Sequence, residues 1–181
     1  MPLNVIKTGI PDCVILQPVV FHDERGFFFE SFNKRGMVQL GIDYEFVQDN
    51  QSHSKRNVLR GLHYQIKQIQ GKLVRAISGE IFDVAVDLRK SSPTFGKWIG
   101  ARLTSADRSM IWIPPGFAHG FVVLSEHADV AYKATDFYAP EHERTILSSD
   151  RELNIQWPVQ EPILSAKDLR GTCFRSAEVF E

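Results

Sequence analysis

An all-β chain, folded as two sheets closed into a barrel, is what this sequence predicts, and three observations predict it. Short runs rich in Val, Ile, Phe, Trp and Thr recur along the chain, turn-forming clusters separate them, and only one stretch in the first half has the character of a helix. Many short strands at this spacing read as a β-sandwich or barrel rather than as alternating βα units.

The strand candidates are residues 14–21, 27–32, 72–78, 81–88, 98–104, 109–113, 120–124, 130–135 and 144–147. Between them lie Asp23-Glu24-Arg25-Gly26, Ser78-Gly79, Ser91-Ser92-Pro93, Pro114-Pro115-Gly116 and Ala139-Pro140-Glu141, which supply the glycine, proline and short polar side chains that turns require. The helix candidate is residues 33–40, stopped by Gly41. From about Leu153 the chain carries Pro158, Pro162 and Gly171, and short helical turns packed on the barrel are expected there. No repeat, low-complexity tract or linker divides residues 1–181, so one domain is expected, long enough to bury a sizeable core.

Composition narrows the function. Hydrophobic residues at 43% and charged residues at 24% fit a soluble globular protein. A formal charge of −1 leaves no basic field for nucleic acid, although local cations can still hold a small anion. Cys13 and Cys173 stand at opposite ends, outside any metal-ligand spacing, and read as free thiols in a reducing compartment. The opening Met-Pro-Leu-Asn-Val-Ile-Lys has no charged segment followed by an apolar one, and no apolar run approaches the ~20 residues that span a bilayer. A cytoplasmic location is expected.

Strand alternation assigns directions to side chains. In residues 81–88, Phe82, Val84, Val86 and Leu88 share one face, and Ile81, Asp83, Ala85 and Asp87 share the other. Asp83 therefore meets either solvent or a polar cavity inside the barrel. In residues 72–76, Lys72 aligns with Val74 and Ala76, so its amine is either desolvated beside a ligand or reaches water from the strand end. Three consecutive aromatics, Phe27-Phe28-Phe29, suit a strand buried on both faces, at a dimer interface or in the barrel core.

Two segments carry chemistry. Leu59-Arg60-Gly61-Leu62-His63-Tyr64-Gln65, followed by Gly71-Lys72-Leu73-Val74-Arg75, sets two cations and one histidine among Leu, Val and Tyr. Arg60 and Lys72 suit an anionic ligand, and imidazole titrates where a neutral base is useful. The second segment, Ile113-Pro114-Pro115-Gly116-Phe117-Ala118-His119-Gly120-Phe121, contains Pro-x-Gly-x-x-His, a tight turn that fixes the angle at which His119 enters the next strand. This pattern resembles the second motif of the cupins, small double-sheet β-barrels of jelly-roll form. Many cupins use that histidine as a metal ligand, with partners from a His-x-His. Here the corresponding residues are His63-Tyr64-Gln65, and transition metals prefer three or four His or carboxylate ligands.

With both segments in view the chain resembles the dTDP-4-dehydrorhamnose 3,5-epimerase family, metal-independent cupins of deoxysugar nucleotide synthesis. Further marks are Asp23-Glu24-Arg25-Gly26-Phe27-Phe28-Phe29-Glu30, Phe46-Val47-Gln48-Asp49-Asn50, Gly79-Glu80-Ile81-Phe82-Asp83-Val84-Ala85-Val86-Asp87, Ser92-Pro93-Thr94-Phe95-Gly96, Tyr132-Lys133-Ala134-Thr135 and Leu164-Ser165-Ala166-Lys167-Asp168. The resemblance implies a cupin-type double-sheet β-barrel with a few short helices, no cofactor and no metal. It implies a dTDP-linked 4-keto-6-deoxy sugar as substrate and a homodimer that exchanges N-terminal strands. By the same resemblance His63 is the base with Asp168 as its partner, Tyr132 the acid on the opposite sugar face, and Lys72 the enolate stabiliser. Strand parity leaves Asp83 as a rival partner for His63. The resemblance further assigns Arg25 and Arg60 to the diphosphate, and Gln48, Asp49, Asn50, Glu30 and Glu143 to sugar or nucleotide. It gives His119 to the sugar, Tyr138 to thymine stacking, and Lys167 to a further ligand contact. A related enzyme inverting only C3 or only C5 would keep His63 and Lys72 but position the sugar or Tyr132 differently.

Overall fold

Which face of each strand is apolar decides how the sheets close. The computed structural model describes residues 3–181; Met1 and Pro2, which open the segment read as lacking a targeting signal, lie outside them. One sheet runs in the order β1 (Leu3–Lys7), β2 (Val14–Pro18), β10 (Met110–Ile113), β7 (Lys72–Ser78), β12 (His127–Ala134) and β5 (Gln48–Lys55). The other runs β13 (Glu143–Thr145), β6 (Leu59–Gln65), β11 (Phe117–Val123), β8 (Glu80–Asp87) and β9 (Trp98–Thr104). A separate hairpin joins β3 (Phe21–Asp23) to β4 (Gly26–Phe28). All these pairings are antiparallel, and neighbours in the sheets are often distant in sequence, as in the predicted jelly roll.

Between the sheets lies a core built from alternating inward residues. Val74 and Ala76 of β7, Val130 of β12, Ile81 and Ala85 of β8, and Phe117 and Phe121 of β11 belong to it. The outer face of the second sheet is apolar too. Val84, Val86, Leu62 and Tyr64 are covered there by Leu153, Ile155 and Phe174 of the tail. The expected helical turns of the tail are Asp168–Arg170 and Phe174–Ser176. The outer face of the first sheet is covered in part by α1 (Lys34–Gln39), whose Met37 packs with Leu73, Met110 and Trp112. Asn33 caps α1, its side chain accepting from the Gly36 amide, so the helix falls where the sequence places it.

Several boundaries differ from expectation. Residues 14–21 break after Pro18 into β2 and β3, since proline lacks the amide that would continue the ladder. The 27–32 candidate stops at Phe28, and Phe27 and Phe28 are exposed, so the barrel-core reading of the aromatic triplet does not hold. The strands β1, β5 and β6 were absent from the candidates. β5, Gln-Asp-Asn-Gln-Ser-His-Ser-Lys, is polar on both faces because it is an edge strand. β6 contains Gly61, at φ +121, where a Cβ would lie 2.5 Å from the Gly120 Cα and 2.7 Å from the His119 carbonyl. That close approach coincides with a register shift: His63 stands opposite His119, and Arg60 opposite Phe121. The extra residue in β6 sets Arg60 and His63, three apart, beside residues only two apart on β11.

Candidate active site

The strand registers converge polar groups at one end of the space between the sheets. Lys72 follows the inward direction of Val74 and Ala76, and Tyr132 that of Val130. Asp83 lies between Ile81 and Ala85 on the inward face of β8 and is fully buried. Its surroundings are thus the barrel interior rather than solvent. His63 and His119 are register partners on β6 and β11.

Each histidine has its own carboxylate. His63 Nε2 lies 2.5 Å from Asp168 Oδ1, and His119 Nε2 lies 2.8 Å from Asp83 Oδ2. Asp83 is therefore the partner of His119 and not of His63. Burial alone would raise the Asp168 carboxyl, but the bonds from His63 and Ser165 hold it below the ordinary value. An ionised Asp168 accepts, so Nε2 carries the ring proton and Nδ1 is left as the basic nitrogen. Burial lowers the His119 pKa, against the opposing pull of Asp83, and keeps that imidazole neutral. Asp83 Oδ1 is buried without a hydrogen-bond partner.

Lys72 and Tyr132 complete the interior. The Lys72 amine sits 5.8 Å from the centre of the Tyr132 ring. Desolvation brings the Lys72 pKa down from 10.5 to about 8, with Glu143 and Asp83 pulling it back up. Desolvation and the nearby Glu143 raise the Tyr132 hydroxyl, which stays protonated at neutral pH. A cation, an imidazole with its carboxylate and a protonated phenol thus line one space.

At the mouth Gln48, Asn50, Tyr138, Glu143 and Lys167 form a connected rim. The Tyr138 amide donates to Gln48 Oε1 at 2.9 Å, and Gln48 Nε2 donates to Asn50 Oδ1 at 2.9 Å. The Tyr138 hydroxyl donates to Glu143 Oε2 at 2.9 Å, and Lys167 Nζ reaches the same oxygen at 2.5 Å. Arg60 Nε donates to Ser54 Oγ at 3.0 Å.

Four candidates stand apart: among the described residues, Arg60, Arg25, Glu30 and Asp49 make no hydrogen bond or ion pair with this cluster. Arg25 is paired with Asp23 in the exposed hairpin, and Glu30 accepts from Asn33 beside α1. Asp49, between Gln48 and Asn50 on β5, faces the opposite side of the sheet and binds Lys133. Ser165 was missed by sequence reading. Its hydroxyl donates to Asp168 Oδ2 at 2.7 Å and so turns Oδ1 toward His63; the Ser-x-x-Asp spacing of an ST turn is the signal that marks it. Gln65, in the position of a cupin metal ligand, is occupied by backbone: its amide donates to the Gln68 and Phe137 carbonyls and accepts from the Ala139 amide.

Comparison with known proteins identifies the family. The family model described as dTDP-4-dehydrorhamnose 3,5-epimerase matches residues 7–176. A dTDP-4-dehydrorhamnose 3,5-epimerase of Pseudomonas aeruginosa is 58% identical over 180 residues, 98% of this chain and 99% of the relative. The crystal structure of dTDP-6-deoxy-D-glucose-3,5-epimerase from Legionella pneumophila, in complex with dTDP-4-keto-L-rhamnose, superposes with a TM-score of 0.95 at 51% identity, covering 98% of this chain and 95% of that one. A 3'-monoepimerase from Streptomyces bikiniensis, in complex with dTDP-quinovose, is similar at 31% identity and a TM-score of 0.88, covering 94% and 87%. On the match across nearly all of its length, this chain belongs to the dTDP-4-dehydrorhamnose 3,5-epimerase family.

Proposed function

We propose that this protein is a dTDP-4-dehydrorhamnose 3,5-epimerase: an isomerase that inverts C3 and C5 of dTDP-4-dehydro-6-deoxy-D-glucose and yields dTDP-4-dehydro-β-L-rhamnose for dTDP-L-rhamnose biosynthesis. The observation that carries the site assignment is the 2.5 Å His63–Asp168 pair beside a half-buried lysine and a protonated tyrosine. The C4 ketone makes the hydrogens on C3 and C5 acidic, because either carbanion delocalises onto the ketone oxygen as an enolate. His63 takes the proton from carbon, and Asp168 steadies the imidazolium that forms. The electron pair moves to the C4 oxygen, where the Lys72 ammonium meets the developing charge. Tyr132 then delivers its hydroxyl proton to the opposite face of the carbon. The resulting phenolate recovers a proton from solvent as His63 releases its own, so no proton is gained or lost overall.

The neutral His119 serves as a hydrogen-bonding group to the sugar. Arg60 holds the diphosphate through paired guanidinium contacts, Tyr138 stacks on the base, and Gln48, Asn50, Glu143 and Lys167 line the nucleotide path. A homodimer is part of the proposal. The β3–β4 hairpin leaves Phe21, Phe27 and Phe28 exposed, an apolar surface suited to a second copy, and its Arg25 would there serve the neighbouring site. Glu30, just beyond the hairpin, would travel with it, whereas Asp49 keeps its pairing with Lys133 and has no role in its own site. The whole chain acts as one domain, in the cytoplasm.

The test is proton NMR of the chelator-treated protein with substrate in D₂O. Deuterium at both C3 and C5 with L-rhamno product is expected. The 3'-monoepimerase similarity motivates a second reading, for which deuterium and inversion appear at one carbon only. Absence of exchange at either carbon would refute both.

A further inference from the structure

Lys167 and Asp168 are consecutive residues of the tail, yet they bind two different strands. Asp168 reaches His63 on β6, and Lys167 reaches Glu143 on β13, the strand paired to β6. The segment that carries them is a single tight turn, closed by Leu169 N to Ser165 O and Arg170 N to Lys167 O. Backbone bridges anchor its two ends, Ile163 to Val58 and Thr172 to Ile146. Between those anchors apolar burial does little. Leu169 is 62% exposed, and Ser165, Ala166, Lys167 and Arg170 are also exposed. Among the described residues, the turn's hydrogen bonds and ion pairs to the barrel between its anchors are the Asp168–His63 and Lys167–Glu143 links. Glu143 in turn is largely buried, and a second donor, the Tyr138 hydroxyl, holds the same oxygen.

We infer that Glu143 is a positioning residue: through Lys167 it seats the Ser165–Arg170 turn so that Asp168 meets His63. The inference rests on the epimerase reading above and gives Glu143 a task in the chemical step besides any contact with the nucleotide. A turn held at two adjacent points cannot pivot, whereas one held at Asp168 alone can rotate about that contact. The charged or titratable groups around His63 are Asp168 from the tail, Glu143 from β13, and His119 from β11, with Asp83 of β8 and Lys72 of β7 behind it.

The experiment compares wild type, Glu143→Gln, Lys167→Met and the double variant in steady-state turnover across pH, with thermal melts alongside. Each single variant should lower kcat about five-fold, the scale of a partly exposed charge pair, in addition to any rise in KM from a lost nucleotide contact. The acid limb of the kcat profile should move to lower pH in the double variant, which loses the link and both of its charges. The double variant should be no slower than either single one, since both break the same link. A raised KM with intact kcat in Glu143→Gln would make it a plain substrate contact and overturn the inference. So would an unmoved pH profile, or losses that multiply in the double variant. Lys167→Met, at an exposed position, keeps the test open if Glu143→Gln folds poorly. An inactive wild type would instead sink the epimerase reading itself.

Discussion

Replacing Lys72 with methionine separates what this amine does for catalysis from what it does to stability. The side chain keeps similar length but loses its charge. If Lys72 meets the enolate oxygen as proposed, its loss removes on the order of 3–4 kcal/mol of transition-state stabilisation, so kcat should fall about a hundred- to a thousand-fold. Stability should move the other way. Converting the fall from 10.5 to about 8 at roughly 1.4 kcal/mol per pH unit gives about 3–4 kcal/mol as the penalty for keeping the ammonium in the folded interior. Lys72 is half-buried rather than sealed, so solvent screening trims this, and a gain of about 1–3 kcal/mol is expected on substitution. For a chain of this length that corresponds to a melting temperature higher by roughly 2–4 °C per kcal/mol. The sign with pH follows from linkage. Between about 8 and 10.5 the folded protein has released the Lys72 proton while the unfolded chain still holds it, so wild-type stability rises with pH through that window. The gap between variant and wild type is therefore widest below pH 8 and closes toward 10.5. Thermal melts by circular dichroism at pH 7, 9 and 10, paired with NMR turnover, measure both effects. A variant that turns over normally, or that melts lower than wild type at pH 7, would refute the reasoning.

Three further outcomes are expected. His63→Ala should abolish turnover while dTDP binding, read by calorimetry, stays nearly unchanged; activity close to wild type would remove His63 as the base. Tyr132→Phe should exchange substrate hydrogen for deuterium without completing inversion, because abstraction and reprotonation use different groups; full inversion by this variant would reassign the acid. Asp83→Ala should destabilise the fold by about 2–3 kcal/mol in urea titration, since it strands the buried His119 Nε2–H without an acceptor. An unchanged urea midpoint would mean that the Asp83–His119 pair contributes nothing to folding.

How far the site was legible depends on how each residue is carried. Alternation along β7 sets Lys72 on the face of Val74 and Ala76 and leaves its amine either desolvated or in water, and the structure turns that face inward. Tyr132, inward beside Val130 on β12, was marked by the resemblance alone. For Asp83 the sequence left two readings open, because β8 is apolar on both faces. The reason is the tail, which buries Val84 and Val86 on the outside as fully as the barrel buries Ile81 and Ala85 within. Alternation could also have separated Asp49 from Gln48 and Asn50, since adjacent strand residues face opposite ways, but the motif lumped them together. The pairing of His63 with Asp168 spans a sequence separation of 105, a distance at which no periodicity speaks. The bulge that sets Arg60 beside His63 had one trace, the glycine between them. β5 was invisible as a strand because it lacks the apolar alternation by which strands are found.

The long interval between base and carboxylate has a consequence for how the enzyme comes into being. During synthesis His63 emerges far ahead of Asp168, and the strands that flank it can pair while the tail is still being made. A nascent barrel at that stage already contains the lysine, the tyrosine and both histidines, yet it lacks the carboxylate that pairs with its proposed base. Catalytic competence therefore arrives as a late event, with the docking of a surface turn rather than with collapse of the core. In refolding, recovery of activity should lag recovery of β-sheet signal, and that lag would time the arrival of the tail.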